Sequence, residues 1–380
     1  MTSSGTLERR LGLRDAIVVG TGSMIGAGVF AAWGPAAEAG GNGLLIGLAI
    51  AALVALANAT SSAQLAAIHP ESGGTYIYGR RQLGEGWGHL AGWGFVVGKT
   101  ASCAAMALTI GAYLWPQQAR AVAVAAVLGI TAVNIGGLSR TVAVTRMLLV
   151  VSLASLAAVV AAGWSSGQAD VGRLSPIDAG PLGVLESAGF LFFAFAGYAR
   201  IATLGEEVRE PEITIPKAIP RALLVVLAIY AVVAVTALAT VDTAELARSV
   251  APLRLVADAG STTVGGFVRI GAGIAALGVL LNLIPGVSRT SLAMARNREL
   301  PHWLAHVDIA RSLPLRAELT VAATVIALVV AINLRSAIAF SGVAVLTYYA
   351  ITNAAVHADG RATPLAAMVA ASSGSWAAWR

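Results

Sequence analysis

Ten long apolar runs, joined by short polar connections, constrain this chain more than any other feature. They cover roughly 15–38, 43–67, 88–114, 118–136, 141–163, 182–204, 218–240, 266–295, 317–334 and 336–356. A helix needs about 20 apolar residues to cross the hydrocarbon core of a bilayer, and each run comes near that length. Of the 380 residues, 57% are hydrophobic and only 12% charged, and the mean hydropathy is +0.78. Soluble domains carry about 25% charged residues. A water-soluble fold is therefore excluded. Backbone inside a bilayer must satisfy its own hydrogen bonds, so these runs are expected to be helices of an all-α, polytopic membrane protein.

Charge placement sets the expected orientation. With a cytoplasmic N-terminus, the internal segments hold Arg9, Arg10, Arg14, Arg80, Arg81, Arg140, Arg146, Arg209, Lys217, Arg221, Arg296, Arg298, Arg311, Arg316 and Arg361. The external segments hold Arg120, Arg173, Arg248, Arg254, Arg269 and Arg335. This bias places the N-terminus inside a cell or inner membrane. The net charge of +6 comes from basic residues set singly between apolar runs, so no nucleic-acid partner is expected. Cys103 is alone and reads as a small buried hydrophobe. Met1 to Arg10 is polar and shows no signal-peptide pattern. His302 and His306 have the spacing of a helical metal pair, but Trp303 stands where the HExxH glutamate belongs. No metal or cofactor is expected.

The first run is interrupted by Gly20-Thr21-Gly22-Ser23-Met24-Ile25-Gly26-Ala27-Gly28-Val29-Phe30. A glycine inside a helix costs about 1 kcal/mol relative to alanine. Two readings compete: small residues let membrane helices pack closely, or the helix breaks where its freed backbone lines a polar cavity. In the second, the N–H groups of Gly26, Ala27 and Gly28 suit a carboxylate and the carbonyls near Ser23 suit a cation or ammonium. A dinucleotide loop fails, because the glycine after Gly20 and Gly22 falls at 26 and no βαβ pattern surrounds it. The sixth run carries a second weak stretch, Phe192 to Arg200. Runs one and six each open a block of five, 14–163 and 182–357, leaving a short tail at 358–380. Interrupted spans at matching positions of two oppositely oriented halves point to a transporter binding site.

Five stretches in order give the chain a family resemblance. They are Met24 to Phe30, Gly73-Gly74-Thr75-Tyr76, Phe193 to Tyr198, Glu206-Glu207-Val208-Arg209-Glu210-Pro211, and Ser288 to Pro301. From about Leu13 to Ala355 the sequence resembles the amino acid–polyamine–organocation (APC) permeases. The resemblance implies a LeuT-like inverted repeat of five plus five helices, alternating access, and an amino acid held between broken helices one and six, driven by protons or by exchange. It implies a carboxylate site on the backbone of Gly26, Ala27 and Gly28. The ammonium would meet carbonyls around Ser23 and Met24 and those near Ala194 and Phe195. Phe193 would be an aromatic lid, with Tyr198 in the same binding set. The chain departs from the family pattern in three places. Ala199, followed by Arg200, stands where many relatives carry an acid. The lysine of many proton-coupled relatives falls on Ser152. Relatives usually have twelve spans, and the tail here reads as truncated or altered.

Charges at membrane depth cost at least about 2.5–3.5 kcal/mol and normally have a partner or a task. Arg200, beside the second weak stretch, is read as a fixed positive charge between the half-helices, or as a pair with Glu206. Lys99 either snorkels to the inner surface or, with a pKa depressed by burial, carries protons. Glu206 and Glu207 lie at a helix C-terminus and call for basic partners such as Arg209, Arg80 or Arg289, as an inner gate of ion pairs or a solvated helix end. No deep acidic residue is seen beyond Glu38 and Glu186 near the outer ends, so neutral amino acids are favoured, anionic ones second. A sensor that binds without transporting is the first rival. A membrane enzyme is the second, and no Ser/His/Asp set or intramembrane carboxylate pair supports it. The sequence leaves the oligomeric state open.

Overall fold

A computed structural model describes residues 11–68, 74–136, 142–175, 179–198, 201, 208–308, 313–358 and 360. Among them no strand forms, only isolated bridges between Leu11 and Val208 and between Asp308 and Leu313. The first run folds in three pieces, α1 (Leu13–Met24), α2 (Ala27–Ala31) and α3 (Trp33–Gly40). Then come α4 (Leu44–Ile68), a short α5 (Thr75–Gln82), α6 (Glu85–Leu114), α7 (Ala119–Ile135) and α8 (Val142–Ser165). In the second block α9 (Pro181–Phe195) passes into a 3-10 turn, Ala196–Tyr198. It is followed by α10 (Pro211–Thr240), α11 (Thr243–Arg248), α12 (Pro252–Gly260), α13 (Thr262–Arg296), α14 (Leu315–Ala331) and α15 (Leu334–Ala358).

Nine stretches of the described residues are long and apolar enough to cross a membrane. That is one fewer than the ten runs. The run at 317–334 becomes α14, a helix of 17 residues, at the lower limit of spanning length. The bundle is organised around α6, whose residues from Gly98 to Tyr113 are all buried. It packs chiefly on α13 and α15. Small residues make that approach possible: a Cβ on Gly98 would lie 2.9 Å from the Ala344 side chain. The outward faces of the other long helices carry Leu53, Met147, Leu224 and Val343, all exposed. In lipid such side chains need no cover.

Three short helices were not legible as such. The connection between α4 and α6 contains α5. Gly74 (φ +55°) and Gly84 (φ +104°) flank that helix, with backbone angles that L side chains rarely adopt. The start of α5 is anchored to α15. The Thr75 N–H donates to Tyr348 Oη (3.0 Å), and the Thr75 and Thr352 hydroxyls share a hydrogen bond of 2.6 Å. Helices α11 and α12 likewise fill the connection between α10 and α13.

Candidate functional site

The first interruption falls at Ile25 and Gly26. The Ile25 N–H still bonds Thr21 O (2.8 Å), but the Gly26 N–H turns back onto Met24 O (2.8 Å). Ile25 (φ −79°, ψ 72°) and Gly26 (φ −130°, ψ −150°) leave the helical region. Helical angles return at Ala27, and at Ala32 (φ −74°, ψ −22°) they join α2 to α3. Any residue adopts the φ of Gly26. What excludes a side chain there is Val279 of α13, which a Cβ would overlap. The second interruption follows Phe195, where α9 tightens into the 3-10 turn.

The two interruptions meet. A Cβ on Gly197 would overlap the Ser23 carbonyl and lie 2.7 Å from the Met24 nitrogen. One on Gly28 would lie 2.7 Å from the Ala194 Cα, and Gly20 faces the Ile201 side chain. The glycines thus accompany both a break and a close approach. The span is broken, and its small residues let the second broken span come into backbone contact.

One side chain ties the breaks together. Tyr230 of α10 donates its hydroxyl to Met24 O (2.8 Å) and Ala194 O (3.1 Å). These are two of the carbonyls expected to meet an ammonium. The Tyr230 ring is fixed by Trp33, edge-on with centroids 6.2 Å apart, and by Phe195 at 5.0 Å. Sequence reasoning missed this residue. Its signal was a lone phenol within an apolar run, since a buried tyrosine hydroxyl usually has a partner.

Lys99 lies midway along α6, 7% exposed, and donates from Nζ to Ala196 O (3.2 Å). It does not snorkel to the inner surface; its ammonium turns inward onto the second break. Position explains this. The helix begins at Glu85, so Lys99 stands about 21 Å from its end, beyond a lysine's reach. A positive charge is favourable at the carbonyl end of a helix, and α9, the first half of the sixth span, ends there. Arg200, Glu206 and Glu207 lie outside the described residues.

The other expected residues are buried or half-buried. Phe193 and Phe195 are enclosed. Tyr198 stacks on Tyr349 of α15 (5.0 Å, 30°), and Phe192 meets the same ring edge-on at 6.0 Å. The hydroxyls of Ser23 and Ser152 bond back to their own helices, at Val19 O (2.8 Å) and Leu148 O (2.9 Å). Among the described residues no group of three His, Cys, Asp or Glu gathers as metal ligands would.

Ion pairs link helices at both ends of the bundle. At one end Arg335 of α15 pairs with Glu38 of α3 and with Glu186 of α9 (3.3 Å), and lies 5.4 Å over the Phe190 ring. At the other, Arg80 of α5 bonds Glu85 (2.7 Å) and Glu299 (2.6 Å), with His89 3.6 Å from Glu299. Tyr76 accepts from Asn297 (2.6 Å). Burial pushes the Tyr76 phenol up, although the Asn297 bond acts the other way.

This arrangement, two interrupted membrane helices in backbone contact at the centre of a polytopic bundle, can be set beside known sequences. The family model described as amino acid permease matches residues 11–358. The chain belongs to the amino acid permease family. An uncharacterized transporter of Mycobacterium tuberculosis is 60% identical over 350 residues, covering 92% of this chain and 80% of the relative. The branched-chain amino acid permease BcaP of Bacillus subtilis is 27% identical over 335 residues, covering 80% and 70%. The cationic amino acid transporter 7 of Arabidopsis thaliana is 27% identical over 389 aligned residues, covering 93% and 66%. The permease is accordingly a multi-pass membrane protein of a transporter family.

Proposed function

We propose that this permease is a secondary active transporter that moves neutral amino acids by alternating access, proton-coupled or by exchange. The observation that carries the proposal is the meeting of the two breaks, with Gly197 against Ser23 and the carbonyls of Met24 and Ala194 turned to one point. The substrate carboxylate binds the backbone of Gly26, Ala27 and Gly28. The ammonium binds carbonyls of Ser23, Met24, Ala194 and Phe195, with Phe193 and Tyr198 enclosing the site. The two halves, 14–163 and 182–357, form the inverted repeat, and the N-terminus faces the cytoplasm across the plasma or inner membrane. Names of relatives at 27% identity include both a branched-chain permease and a cationic transporter, so they do not decide the side-chain charge. Lys99 favours a substrate that brings no second positive charge, because an inward-turned ammonium repels it. Lys99 also supplies the charge through which a proton gradient acts.

Thermal unfolding of the detergent-purified permease against each of the twenty amino acids tests the site. A true ligand at one hundred times its dissociation constant stabilises the fold by about 2.7 kcal/mol. Stabilisation by one or a few neutral amino acids is expected; response to none overturns the proposal. Uptake into proteoliposomes then separates transport from sensing, since a sensor is stabilised but moves nothing.

A further inference from the structure

We infer that Tyr230 takes the place of the substrate ammonium when the permease closes without substrate, and that the permease therefore performs net transport rather than obligatory exchange. The inference rests on the reading of the site given above.

The argument starts from what the breaks leave unmet. Interrupting two helices frees carbonyls, and a carrier that closes around no substrate buries them. A buried carbonyl without a donor is costly, so such a carrier resists closing and returns across the membrane only when loaded. That behaviour is exchange. Met24 O already accepts the Gly26 N–H (2.8 Å), so the carbonyl at stake is Ala194 O; the phenol of Tyr230 removes the obstacle, because its hydroxyl lies 3.1 Å from Ala194 O as well as 2.8 Å from Met24 O. The ring is held between Trp33 and Phe195, so the hydroxyl is aimed at the two carbonyls.

The same geometry lets substrate win. A phenol has one proton to share between two acceptors. An ammonium has three, and it adds a positive charge where helix carbonyl ends favour one. A loaded amino acid therefore displaces the hydroxyl, and release restores it. Tyr230 acts as a positioning residue whose effect appears in the return step.

The test uses the full chain in proteoliposomes and a 14C-labelled mixture of the twenty L-amino acids. Initial uptake is compared between liposomes filled with buffer and liposomes preloaded with the unlabelled mixture. Wild type is expected to take up label into both at similar rates. In Tyr230→Phe the ratio of preloaded to buffer-filled uptake should rise about tenfold, since Ala194 O loses its phenol donor while Met24 O keeps the Gly26 N–H. A merely structural defect lowers both rates together and leaves the ratio unchanged, which overturns the inference. Wild-type uptake confined to preloaded liposomes also overturns it, and this arm decides alone should Tyr230→Phe misfold. No wild-type uptake into either liposome removes the transport reading itself, and the inference with it.

Discussion

Gly197 and Ser23 stand backbone to backbone, so close that a Cβ on Gly197 would overlap the Ser23 carbonyl. The obstacle is main chain on one side and helix end on the other, and neither can rotate away. Gly197→Ala should therefore force the two interrupted spans apart, at about 1–3 kcal/mol by analogy with overpacked cores. Amino-acid-dependent stabilisation should vanish with it. Gly129→Ala is the control, because nothing lies within 4 Å of a Cβ there; its ligand response should match wild type, and its stability should hold or rise by up to about 1 kcal/mol, as for any glycine inside a helix. Equal behaviour of the two variants would remove the contact from the site.

Lys99→Met should separate function from stability. The ammonium is buried on Ala196 O, and replacing a buried charge by an apolar chain of similar volume is often neutral or stabilising. The thermal midpoint should hold or rise while uptake falls at least about tenfold, the loss of one charge-assisted hydrogen bond at the break. Retained uptake would make Lys99 a packing residue only.

Arg80 offers an internal comparison between two carboxylates. Glu85 is 83% exposed by side chain and Glu299 only 12%. Glu85→Gln should change stability by no more than about 0.5 kcal/mol, as exposed pairs do. Glu299→Gln should cost about 1–3 kcal/mol, because a partly desolvated cation loses the charge of its nearer partner, although the amide oxygen can still accept. Urea or thermal unfolding of the two variants decides the order.

Arg335 joins α15 to the ends of α3 and α9 through Glu38 and Glu186, all three side chains more than a third exposed. Arg335→Ala should lower stability by at most about 1 kcal/mol, and added salt should shrink the difference further. A much larger loss, insensitive to salt, would show that packing on Phe190 dominates.

Much of the architecture was legible because the membrane imposes it. A run of apolar residues in lipid has few options besides a helix, so the positions of the long helices followed from hydropathy. The glycines of the first run announced a break, and Ile25 and Gly26 fall inside the stretch read for it. Helix α14 came out shorter than its run because Ile332 adopts an extended conformation and ends it. The short α5 was missed since its sequence, Thr-Tyr-Ile-Tyr-Gly-Arg-Arg-Gln, has no long apolar face; tertiary bonds from Thr75 to α15 hold it.

The sequence by itself determined that this protein spans a membrane as helices, where the first span yields, and which family it resembles, since these depend on local composition and on residue order. The tertiary structure decided which groups face the breaks. Lys99 and Tyr230 sit on α6 and α10, roughly a hundred residues or more in sequence from at least one of the carbonyls they bond, Ala196 and Met24. No local pattern records that meeting. Helix rotation and the close approach permitted by Gly28 and Gly197 aim those side chains, and both are set by packing across the whole bundle.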